Sequence, residues 1–145
     1  MTTSADIISA ITTELNRIDG GFSPFDRAYR FNYNLHRDVY FGFKYFDEIA
    51  SFPSVYLTVE REDYFHYGAN NRFIVLTIDL RGYTLDQEVE ESGELLAQDI
   101  EHIMQFMKKQ YPAIEEVRVL SVETDGGLNA PYGVALFKIE ALYQR

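Results

Sequence analysis

The sequence predicts an α+β fold: a two-layer sandwich whose mainly antiparallel sheet of about four strands is packed by two helices. Two patterns predict it. Two segments repeat their apolar residues every three or four positions, as helices do, and four segments alternate them, as half-buried strands do. The order is helix, aromatic segment, two strands, helix, two strands. Strands arriving in pairs favour antiparallel neighbours, with the helices gathered on one face. At 145 residues the chain suits a single α+β domain, 1–145, carrying an aromatic-rich insertion at about 22–50.

The first helix is expected from about Ser4 to Ile18, with Ile7, Ile11, Leu15 and Ile18 forming its apolar stripe. Thr3 and Asp6 form a capping box with Asp in place of Glu, and Gly20-Gly21 ends the segment. Then comes the most unusual stretch. From Tyr29 to Phe46, eight of 18 residues are aromatic, too many for a disordered linker. Phe31, Tyr33 and Leu35 alternate, as do Phe41, Phe43 and Tyr45, so an extended hairpin or an ordered loop is expected.

Val55–Val59 reads as a strand, followed by a loop holding Tyr64, Phe65, His66 and Tyr67 and a turn at Gly68-Ala69-Asn70-Asn71. The next strand runs from Arg72 to Tyr83, with Ile74, Leu76, Ile78 and Leu80 on its core side. Asp86 is placed to cap a helix reaching about Gln110, and Val89, Gly93, Leu96, Ile100, Ile103 and Met107 mark its buried stripe. Pro112 prevents its continuation. Two strands complete the chain, one around Val117–Val122 and one from Gly133 to Tyr143. Asp125-Gly126-Gly127 turns between them as a plain connector.

Composition narrows the chemistry. No cysteine is present, which excludes disulfide frameworks, thiol nucleophiles and zinc–thiolate sites. The formal charge of −10 disfavours general binding to nucleic acid or anionic lipid. The start lacks the basic and apolar regions of a signal peptide. The longest uncharged stretch, Gly126 to Phe137, has 12 residues, too few for a membrane-crossing helix. Phosphate loops, nucleophile elbows and zinc-binding His pairs are missing, and His36, His66 and His102 lie far apart. No catalytic, cofactor or metal residue is therefore expected.

Two charge patterns remain. Thr84 to Met107 carries seven acids and no Lys or Arg. Glu88, Glu90, Glu91, Glu94, Asp99 and Glu101 are read as a solvated helix face, acids leading as the helix dipole prefers. On a ring, such a face would line a passage that DNA crosses without sticking. Arg27 to Lys44 is the opposite: Arg27, Arg30, Arg37 and Lys44 against Asp38, interleaved with six aromatics. Such a segment suits a subunit or partner interface, where Arg, Tyr and Phe concentrate, and otherwise internal packing or a nucleic-acid-binding module. An oligomeric small-molecule enzyme is a third reading; it requires a deep pocket with a perturbed ionisable group.

A whole-chain resemblance goes further. The N-terminal amphipathic helix is followed by Phe52-Pro53-Ser54-Val55-Tyr56-Leu57, then by a strand ending Leu80-Arg81-Gly82-Tyr83. Next come Leu95-Leu96-Ala97-Gln98-Asp99-Ile100, a strand ending Ser121-Val122-Glu123-Thr124-Asp125-Gly126-Gly127, and Pro131-Tyr132-Gly133-Val134-Ala135-Leu136-Phe137 with terminal Tyr143. This order resembles the tail terminator (tail completion) proteins of long-tailed bacteriophages. The resemblance implies a structural virion protein, made in the host cytoplasm and placed at the head-proximal end of the tail. It implies a homo-hexameric ring that caps the tail tube protein, stops polymerisation and presents a surface to the neck, or head–tail connector, protein. In contractile tails it also implies contact with the sheath protein. DNA would pass through without specific binding, and no catalysis, cofactor or membrane is implied. On this reading Tyr40, Phe41, Phe43, Tyr45, Phe65 and Tyr67, outside the helical stripes and clear strands, are the expected partner or subunit contacts.

Overall fold

The computed structural model describes residues 2–67, 71–85 and 89–144, with the backbone alone at 67, 71 and 89–92. It contains α1 (Ser4–Leu15), β1 (Val39–Phe41), a single 3-10 turn (Phe46–Glu48), β2 (Ser54–Tyr67), β3 (Asn71–Leu85), α2 (Val89–Met104), α3 (Met107–Gln110), β4 (Ile114–Thr124) and β5 (Tyr132–Gln144). The strands form one sheet in the order β1-β2-β3-β5-β4. β1 runs parallel to β2, and the other neighbours are antiparallel.

The α+β class and the antiparallel majority match the expectation; two details do not. The sheet has five strands among the described residues, not four. The fifth, β1, comes from the aromatic segment, which forms no simple hairpin. Isolated bridges Asp19–Asn34 and Phe22–Arg30 close a loop, and the chain then joins the sheet edge through Val39, Tyr40 and Phe41. A parallel edge strand of three residues is too short to show a period, so alternation alone could not reveal it.

α1 starts where its chemistry dictates. Thr3 Oγ1 accepts from the Asp6 N–H, and Asp6 Oδ2 accepts from the Thr3 N–H at 2.8 Å. These bonds hold the Asp6 carboxyl below its usual range. The expected long second helix is interrupted after Met104 and resumes at Met107. Its anticipated Asp86 cap, Glu88 and the Gly68-Ala69-Asn70 turn lie outside the described residues.

One face of the sheet carries the core. Ile74, Leu76, Ile78 and Leu80 of β3 and Ala135, Phe137, Ile139, Ala141 and Tyr143 of β5 are buried beneath Ile7, Ile11 and Leu15 of α1 and Leu96, Ile100 and Ile103 of α2. Each large apolar side chain so buried contributes about 1.5–3 kcal/mol. Close approach of α2 depends on two glycines. A Cβ at Gly82 would overlap Leu96 Cδ2, and one at Gly93 would lie 2.6 Å from Thr124 Cγ2. The Asp125-Gly126-Gly127 connector is as expected, since both glycines adopt positive φ, +65° and +83°.

Candidate functional site: an anchored strap and an exposed aromatic end

The segment between α1 and β1 lies across α2 as a strap, fixed by two side chains. The first is Asp99, fully buried. Its Oδ1 accepts from the Tyr29 hydroxyl at 2.7 Å, and both carboxylate oxygens accept from the Asn32 N–H at 3.0 Å. Oδ2 also accepts from the Tyr33 N–H at 3.0 Å. Burial pushes the Asp99 carboxyl up, opposed by these donors. Burial followed by the Asp99 contact likewise pushes the Tyr29 hydroxyl well up.

This overturns the assignment of Asp99 to a solvated acidic face. The surrounding acids suggested it, but helical geometry places Asp99 beside Leu96, Ile100 and Ile103, inside the stripe. Glu94 and Glu101 are exposed as expected, while the side chains of Glu90 and Glu91 lie outside the described set.

The second anchor is His102, one helical turn on. Its ring stacks on Tyr29 with centroids 4.0 Å apart and meets Phe31 and Phe106 edge-on. Gln105 Nε2 lies 3.3 Å from Nδ1 and Ser23 Oγ lies 2.6 Å from Nε2. This pattern assigns the proton to Nε2, which donates to the serine. Burial holds the imidazole below its ordinary value, against the charges of Asp26 and Asp99. Ser23 is itself buried, so the pair is packed internally rather than opened to a substrate. Around it, Phe25 stacks on Phe106 at 4.9 Å. Glu14 accepts from Tyr111 and pairs with Arg17 at 2.7 Å, and burial with that contact pushes the Tyr111 hydroxyl up to about 12.

The rings at the centre of the strap therefore face inward, while Phe22 at its start is exposed beneath Arg30. Phe31 and Tyr33 are buried and Tyr29 is covered by His102, while Arg27, Arg30, Arg37 and Lys44 are exposed.

After Leu35 the pattern reverses. Gly42, at φ +120°, turns the chain away from the sheet. Phe41 and Tyr45 are each 66% exposed, with Phe43 and Tyr40 also exposed. Phe43 meets Tyr45 edge-on at 5.0 Å, beneath the Arg81 guanidinium at 4.5 Å. Tyr40 stacks on Tyr56 at 5.1 Å and donates to Asp38, which raises its hydroxyl. Phe46, Phe52, Tyr83 and Tyr132 continue the rings below, and the Tyr83 hydroxyl donates to the Lys44 carbonyl at 3.3 Å.

The six expected contact residues thus form two groups. Tyr40, Phe41, Phe43 and Tyr45 share the end of the sheet where β2 begins. Phe65 stands at the other end and lies in β2, not in a loop. It lines a shallow hollow of about 340 Å³ with Phe73, Val75 and Leu142. Tyr67 ends β2, and its side chain lies outside the described set. A second hollow, about 440 Å³, lies between α1 and the sheet edge, bordered by Ile8, Thr12, Phe41 and Val59. All three places are open surface. Among the described residues no three His, Asp or Glu side chains converge in a metal-binding arrangement, and no helix is long and apolar enough to cross a membrane.

Among curated proteins none matches the chain. A family model described as Bacteriophage Tail Tube Terminator Protein matches residues 1–145. Matched over its whole length, the chain belongs to the bacteriophage tail tube terminator family.

Proposed function

We propose that the protein is a structural component of the virion that closes the head-proximal end of the tail tube as a hexameric ring. In this reading the ring's lower face reproduces the docking surface of another tube layer. Its upper face offers no site for a further tube subunit and presents the neck protein with its landing surface. The proposed end-point is geometric, without a chemical step. A closed ring needs two different surfaces on each subunit that fit each other head to tail.

The observation that carries this reading is the family match over residues 1–145. The exposed rings Tyr40, Phe41, Phe43 and Tyr45 beside Arg81 support it, because aromatic residues and Arg concentrate in interface cores. Phe65 and Tyr67 are kept as contacts at the opposite end. Changing Tyr40, Phe41 and Phe43 together to Ser is expected to leave a folded chain that no longer forms rings or caps tubes. Size-exclusion chromatography and negative-stain imaging with tail tubes check this. Unchanged rings and caps would overturn the contact assignment. Absence of both rings and tube caps in the unaltered protein would overturn the function.

A further inference from the structure

We propose that neighbouring copies join by sheet extension, the outer edge of β2 in one copy pairing antiparallel with the outer edge of β4 in the next. The proposal deepens the ring reading by naming its joint.

Among the described residues, β1 covers β2 only at Val55, Tyr56 and Leu57. Beyond them 58–67 have no strand on their outer side. β4, at the far side of the sheet, is paired among the described residues only with β5. One chain thus presents two strand edges on opposite sides, as a head-to-tail contact requires.

The two edges match in an unusual respect. β2 carries one extra residue between Val59 and Arg61, and β4 carries one between Val119 and Ser121. Both irregularities lie on the same rung: Val59 pairs with Ile78, Ile78 with Ile139, and Ile139 with Val119. A bulge normally throws a strand out of step with a regular neighbour. Over 58–65 and 116–123, clear of a second irregularity in β4 between Ile114 and Glu116, the two edges carry equal excess and stay in step with each other. In the register that sets Asp63 opposite Arg118, residues 58–65 face 116–123 with side-chain faces matched throughout.

Charge selects that register. Arg61 pairs with Asp63 at 3.1 Å, and Arg118 with Glu140 at 3.0 Å. Bringing the two pairs together gives an unbroken alternation, Arg61, Asp63, Arg118, Glu140, whereas Arg61 opposite Arg118 would repel. The same register sets Val122 against Val59, both 38% exposed, at the mouth of the hollow between α1 and Phe41.

The absence of native cysteine makes the joint testable. Within one chain, positions 59 and 122 are separated by two intervening strands, about 14 Å at roughly 4.8 Å per strand, beyond disulfide reach. A chain carrying both Val59→Cys and Val122→Cys is oxidised alone and on tail tubes. A covalent ladder extending past the dimer on a non-reducing gel is expected. Each single-cysteine chain, whose thiol faces a valine across the joint, should stay monomeric. A chain with native circular dichroism that gives no ladder in either setting overturns the edge pairing, and tube capping in the same samples reports separately whether the tail-end reading stands. As a second measure, Asp63→Arg and Arg118→Asp singly should each weaken association roughly tenfold, and together should restore it. Equal weakening in the double variant would also overturn the pairing.

Discussion

The two halves of the aromatic segment use the same kinds of residue for opposite ends. In 22–35, Phe31 and Tyr33 turn inward and Tyr29 is stacked; in 39–45, Phe41 and Tyr45 stand in solvent. Ring content does not separate them. What separates them is what the neighbouring layer supplies. Over the strap, α2 provides a buried carboxylate and a buried imidazole that bond the Tyr29 hydroxyl, the Asn32 and Tyr33 N–H groups and the Ser23 hydroxyl. Around Phe41, Phe43 and Tyr45 the structure offers the sheet edge, neighbouring rings, the open hollow beside α1 and Arg81. Aromatic density marks surfaces of high energetic content; the polar partners decide which are already used.

The contrast can be broken most severely at Asp99. Asp99→Ala leaves the Asn32 and Tyr33 N–H groups and the Tyr29 hydroxyl without their acceptor, and should cost about 3–5 kcal/mol by chemical denaturation. Hydrogen exchange should rise in 22–35 before it rises in the sheet. Next, Phe31→Ala should cost about 3–4 kcal/mol, against about 1 kcal/mol or less for Phe41→Ala, in matched melts. Equal costs would erase the distinction between the halves.

The pH dependence sharpens the comparison further. His102 has a folded pKa below its ordinary 6.5, so its stabilisation is present above that value and is lost as pH falls through the folded one. Asp99 is shifted up from 3.8, so its contribution has the opposite sign, present below 3.8 and lost as pH rises through the folded value. As pH falls below 6.5 the His102 contribution to the strap should weaken, and a pH series of denaturant melts should show His102→Gln losing that part of the dependence. The smallest expected effect is Tyr40→Phe. It removes the exposed hydroxyl bond to Asp38 and should change stability by less than about 0.5 kcal/mol.

Much of the fold was legible in the sequence. The stripe Ile7, Ile11, Leu15 and the alternation Ile74 to Leu80 each have a long period and one buried face, and the structure places them so. Less legible were the features set by contacts distant in sequence. Asp99 and Tyr29 are 70 residues apart, and apart from its position within an apolar stripe nothing local distinguishes an acid that will meet two backbone amides from one that meets water. Residues 64–67 read as a loop because their aromatics follow a charged run; pairing with Phe73 and Ile74 extends the strand through them. Phe65, expected as a contact in a loop, is exposed but lies in β2; its separation from Phe41 depends on strand length, which local composition does not encode.

The strand order has a consequence for biosynthesis. β5, the last of the five strands in chain order, inserts between β3 and β4 and is hydrogen-bonded on both sides. α1 rests on a layer that is incomplete until β5, more than a hundred residues later, has been made. A nascent chain that still lacks β5 therefore cannot present a finished surface, and recruitment to a growing assembly must wait until β5 has emerged. Loss of even the last few residues, from Ile139 onward, would remove the middle of the sheet rather than trim its margin.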